Sequence, residues 1–184
     1  MEIRDAAEKI LYEMGLMKVL EKFGTPHPVG SYLINAMAWE DIDISMECED
    51  AVPETLYALS DDINRLMKPY FYEARVISEE TMFYSCETKV ADQRWNLDIW
   101  FRKKEAVAAT LMHCAELKQK IAEKAENREH IIAIKQGLAA RGMYGIDKDP
   151  HRHYHSRDVY RAVLEDGIRD TETFLAAYTI QEER

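Results

Sequence analysis

The stretch VGSYLINAMAWEDIDISM, residues 29–46, sets a Gly-Ser pair, Gly30-Ser31, nine residues ahead of two aspartates, Asp41 and Asp43, separated by one isoleucine. Residues 41–47 alternate acidic and apolar side chains, the period of a strand, so both aspartates project from one face, about 7 Å apart along the backbone. A second alternating segment, RWNLDIWF at 94–101, puts Arg94, Asn96 and Asp98 on one side and Trp95, Leu97, Ile99 and Phe101 on the other. If these strands are neighbours, three carboxylates face one cleft. Carboxylates gathered without paired lysines repel one another and are costly to bury. Divalent magnesium supplies the missing charge, prefers oxygen ligands and keeps positions open for substrate phosphates. Two such ions about 3.5–4 Å apart can hold the attacking and leaving oxygens of a displacement at phosphorus. Gly30 and Ser31 suit the same chemistry, because a glycine turn lets backbone N–H groups approach a phosphate and the serine hydroxyl adds a donor.

In this arrangement the sequence resembles the nucleotidyltransferase superfamily that includes DNA polymerase beta and the antibiotic nucleotidyltransferases. Its signature is a hydrophobic residue, Gly, then Gly or Ser, a gap of nine to thirteen residues, and an acid block interleaved with hydrophobic residues. Here it reads Val29-Gly30-Ser31, nine residues, then Asp41-Ile42-Asp43-Ile44, with Leu97-Asp98-Ile99 as the later third acid. The resemblance spans roughly residues 20–101. It implies a small mixed β-sheet of the nucleotidyltransferase type with flanking helices. Asp41 and Asp43 would bind magnesium, and Asp98 would complete the metal site or activate the acceptor hydroxyl as general base. The chain departs from many small bacterial members at YLINAM, where they carry a basic residue, and at Glu40, where they have Ser before the first Asp.

The elements that must position these residues are legible as patterns. Apolar residues three or four apart predict an amphipathic helix over 3–22, ended by Gly24. Pro26 and Pro28 keep TPHPVGSY out of a helix. A helix over about 53–68 follows the first acidic strand, then two short strands, 73–78 and 81–88, joined at Glu79-Glu80. From Lys103 to Arg141 the chain is rich in Ala, Glu, Lys and Leu at helical spacing, which predicts two helices meeting near Asn127, with Gly142 as a C-terminal cap. Two more helices are expected after Ser156 and Asp170 as N-caps. The fold class is therefore α+β, with a sheet domain over 1–102 and a helical C-terminal region over 103–184.

Composition limits the function further. A chain of 184 residues with 47% hydrophobic residues buries a substantial core. Its net charge of −10 has the wrong sign for holding long nucleic acid by phosphate neutralisation. Cys48, Cys86 and Cys114 are three widely spaced thiols that suit a reducing cytoplasm better than a disulfide framework. The charged N-terminus lacks the apolar centre of a signal peptide, and no uncharged run approaches the roughly 20 residues of a membrane span. The histidines of HRHYH, His151, His153 and His155, read as a solvated loop rather than a zinc site. Arg94 shares the face of Asp98 and is the preferred cation for a phosphate; Arg102 is a second. Trp95 and Phe101 read as core, whereas Trp100 falls on the polar side, where it could stack on a base.

The expectation is a cytoplasmic, metal-dependent nucleotidyltransferase that moves a nucleoside monophosphate from a magnesium nucleoside triphosphate to a hydroxyl of a small molecule, such as an antibiotic, or of a protein. Gly30, Ser31 and Arg94 would bind the triphosphate. The missing basic residue after Gly30-Ser31 supports an alternative, a non-catalytic nucleotide-sensing or partner-binding module such as a toxin–antitoxin component. In the simplest alternative the acids only line a solvated groove.

Overall fold

The computed structural model describes residues 2–49, 52–145 and 153–178. The chain divides into two units, Met1–Ala115 and Glu116–Arg184. The first unit is a mixed five-stranded sheet in the order β1-β2-β5-β4-β3, with helices around it. The strands are β1 (Thr25–Pro28), β2 (Asp41–Glu47), β3 (Phe71–Ser78), β4 (Thr81–Val90) and β5 (Gln93–Arg102). β2 and β5 run parallel and the other pairs are antiparallel. The α+β class expected from the patterns is thus the architecture found.

β5, the middle strand, has strict alternation: Trp95, Leu97, Ile99 and Phe101 are buried, and Asn96, Asp98, Trp100 and Arg102 are half-buried on the other side. Its apolar face joins Ile42, Ile44 and Met46 of β2 and Met82, Tyr84 and Cys86 of β4 in one core with Leu56, Leu59 and Ile63 of helix α4 (Pro53–Met67). Burial of these side chains drives the fold and leaves the polar face to carry chemistry.

The N-terminal pattern differs from the single helix expected. It forms α1 (Ile3–Glu8), a π-helical turn over Lys9–Glu13 and α2 (Leu16–Leu20). Gly15 is left-handed (φ 86°) and separates the last two, so Ile10, Leu11, Leu16 and Leu20 all reach the core despite the break. The two prolines do not leave a bare loop either: Thr25–Pro28 forms β1, paired antiparallel with β2. β1 lies at the sheet edge, where a residue without an N–H is tolerated. Immediately after it the chain turns into the four-residue helix α3 (Gly30–Leu33).

Helix α5 (Lys104–Ala122) contains the boundary between the units. In the second unit α6 (Asn127–Ala140) packs on α7 (Ser156–Leu164) and α8 (Thr171–Ala177) through Ile131, Ile134, Leu138, Val159, Val163 and Phe174. Asp170 caps α8 as expected, its carboxylate accepting from the Thr173 N–H at 2.8 Å. Ser156 is not the cap of α7; His155 is, and the Asp158 carboxylate accepts from its backbone N–H at 2.8 Å. His151 lies outside the described residues.

Candidate functional site

The parallel pairing of β2 with β5 sets Asp43 beside Asp98 and Asp41 beside Asn96. Neighbouring strands are about 4.8 Å apart, so the four side chains form a two-by-two grid on the polar face. All four are half-buried. The Asn96 side-chain amide donates to Asp41 Oδ1 at 2.9 Å and to Asp98 Oδ1 at 3.1 Å, so the two carboxylates converge on one nitrogen. Ser85 of β4, opposite Asp98 in register, donates to Asn96 Oδ1 at 3.4 Å and helps orient the amide.

Gly30 reaches the same point from the other direction. The Val29 N–H donates to the Asp43 carbonyl at 2.9 Å, holding the end of β1 against β2 as the chain turns into α3. Gly30 is left-handed (φ 58°), and a Cβ built on it would collide with the Asp43 carboxylate. Cys114, a buried residue of α5, lies near the Gly30 backbone. Burial raises the Cys114 thiol pKa, the Gly30 amide pulls it down and the Asp43 charge adds to the rise, so the thiol stays neutral beside the carboxylate. Ser31 follows, half-buried, in the first turn of α3.

Of the two cations sharing the face of Asp98, Arg94 is exposed and stands opposite Lys89. Arg102 lies at the other end of β5, with its guanidinium 4.6 Å from the centre of the Trp100 ring. Burial lowers the Arg102 pKa and the Asp43 carboxylate opposes that shift, which couples this cation to the acid grid. Trp100 packs on Phe83 at 4.4 Å between ring centres, on the polar side as its alternation predicts. Glu40, at the position of the usual serine, accepts from the Gln93 side chain at 3.2 Å.

Three carboxylates, two of them reaching one shared donor, are hard oxygen donors of the type a divalent cation takes. Among the described residues no three His, Cys, Asp or Glu side chains gather closely enough to hold a metal ion. The Asn96 amide lies between two of the acids, and the third is packed against Gly30. Asn96 was visible in the alternation, two residues before Asp98, but nothing in the sequence gave it a role. Cys114 reads as a core filler; only tertiary packing places it at the glycine turn.

The fold is similar to those of solved poly(A) and poly(U) polymerases, which are nucleotidyltransferase-fold proteins.

 The likeness is one of fold alone. The poly(A) polymerase complex GLD-2–GLD-3 is matched with a TM-score of 0.62 at 11% identity, over 96% of this chain and 57% of that one. The Cid1 poly(U) polymerase is matched with a TM-score of 0.63 at 14% identity, over 88% and 48%. The chain has a nucleotidyltransferase fold. The polymerase core of TRAMP, an RNA surveillance complex, is matched with a TM-score of 0.57 at 16% identity, over 88% of this chain and 45% of that chain. The chain thus spans about half the length of these solved structures. No protein-family profile and no curated protein sequence matches it. Among the described residues no helix is long and apolar enough to cross a membrane.

Proposed function

We propose that this nucleotidyltransferase fold moves a nucleoside monophosphate from a magnesium nucleoside triphosphate to an acceptor hydroxyl and releases pyrophosphate. The observation that carries the reading is the placement of Asp43 beside Asp98 in parallel register, with Asp41 one step away on the same face. Asp41, Asp43 and Asp98 would hold magnesium, which when bound neutralises phosphate charge and orients the displacement. Gly30 leaves room for the Asp43 carboxylate, and Ser31 offers a hydroxyl to the triphosphate. The acceptor oxygen bonds to the α-phosphorus as the bond to the pyrophosphate oxygen breaks. Asp98 either takes the proton of the acceptor hydroxyl or completes the metal set. Arg94 and Arg102 are the cations available to the developing charge.

The acceptor is a small molecule or a protein; the names of the structural neighbours add RNA, which the net charge of −10 disfavours. The test incubates the chain with magnesium and each ribonucleoside triphosphate, labelled at the α-phosphate, against aminoglycoside, protein and RNA acceptors. Label transfer with pyrophosphate release, lost at least ~10²-fold in Asp43→Asn, is the expected result. Transfer at full rate by Asp43→Asn overturns the site.

A second reading, nucleotide binding without transfer, draws on the Asn96 amide that bridges two of the acids. It predicts a thermal shift with magnesium and a triphosphate but no transfer to any acceptor.

A further inference from the structure

The two edges of the sheet are built differently. β1 is four residues long and carries Pro26 and Pro28, both of which deter another strand from pairing. β3, at the opposite edge, has eight residues and neither proline nor lysine. Phe71, Tyr72, Val76 and Ile77 on it are each at least half exposed, at 50%, 58%, 55% and 51%. Such an edge is a template for a further strand.

The sequence of β3 says which strand. FYEARVI, residues 71–77, is self-complementary about Ala74. Laid antiparallel against a second copy with a two-fold axis at Ala74, Tyr72 meets Val76, Glu73 meets Arg75 and Phe71 meets Ile77 of the other copy. Aromatic residues opposite branched ones, and opposite charges, are favourable cross-strand pairs. The register is also specific. Sliding by two residues sets Glu73 against Glu73 or Arg75 against Arg75, and sliding by one leaves both charges without an opposite partner. The one irregularity in β3 falls between Val76 and Ser78, so the charged centre lies in regular strand.

We propose that two copies of this chain associate edge to edge through β3, joining two five-stranded sheets into one continuous sheet about a two-fold axis at Ala74. Within one copy Arg75 bonds Glu73 at 3.1 Å in an exposed ion pair, which exchanges readily for the same pair across the axis.

The experiment measures mass by light scattering at about 100 µM chain, where an interface of modest area associates. Wild type is expected to be dimeric. Glu73→Arg and Arg75→Glu each set like charges across the axis and are expected to be monomeric, with far-ultraviolet circular dichroism unchanged. An equal mixture of the two is expected to recover the dimer, because each then supplies the charge the other lacks. In a Cys48→Ser background, Ala74→Cys is expected to form a disulfide-linked dimer on mild oxidation, and Ser78→Cys is not. A monomeric wild type, a dimer indifferent to both charge changes, or absence of the Ala74→Cys cross-link would overturn the proposal.

Discussion

A methyl group on residue 30 would meet the Asp43 carboxylate, and the left-handed backbone there (φ 58°) already disfavours any side chain. Gly30→Ala is therefore expected to lose about 1–2 kcal/mol of stability and to move the Asp43 carboxylate out of the grid. Urea unfolding and the magnesium–triphosphate thermal shift check this together: the fold persists and the shift disappears. Asn96 makes the opposite argument. Its amide satisfies two carboxylates at 2.9 and 3.1 Å, so Asn96→Ala leaves half-buried charge short of a donor, at a cost of about 1–3 kcal/mol. On the proposed function, magnesium would supply the charge that the amide no longer offers. The variant is accordingly expected to be less stable than wild type without magnesium and to gain more stability from it, read as the change in unfolding midpoint with and without 10 mM magnesium, a concentration of about the order used for weak sites. Equal gains in both proteins would show that the amide and the ion do not share a site.

Among the elements, β5 matters most, since it is the middle strand and presents core and site on opposite faces. Leu97, fully buried between Asn96 and Asp98, is expected to cost about 2–5 kcal/mol when cut to alanine, measured by urea unfolding. The period that makes this strand stable is also what made it legible: apolar and polar residues alternate without a break from 95 to 102. The same period put Asp41, Asp43 and Asp98 on common faces before any pairing was known. What alternation does not contain is register, so the hydrogen bonds of Asn96 to Asp41 and Asp98, which depend on Asp41 standing opposite Asn96, were not readable. β1 was hidden by its prolines, which an edge strand accommodates, whereas β3 was legible from residue 73 and only its first two residues, Phe71 and Tyr72, were missed. The break at Gly15 was hidden because helical spacing continues on either side of it.

For the whole molecule, buried thiols tie stability to alkaline pH. Burial pushes the Cys86 thiol from an ordinary value of 9.0 up to about 12, and burial also raises Cys114. The folded state therefore keeps its thiol protons while the unfolded chain releases them. Stability is full below about pH 9 and falls as pH rises from 9 towards 12. For Cys86 alone the loss at pH 10 is about 1.4 kcal/mol relative to neutral pH. Tyr84, whose pKa burial also raises, adds to the fall only above the ordinary tyrosine value of 10.0, so the interval from 9 to 10 belongs mainly to the thiols. Unfolding in urea at pH 7, 9 and 10 is expected to show this decline in wild type and a shallower one in Cys86→Ala, which starts from lower stability but has one fewer proton to lose. An identical slope in the two proteins would mean that Cys86 ionises as easily in the fold as in the unfolded chain, and hence that the core beneath the acid grid admits water.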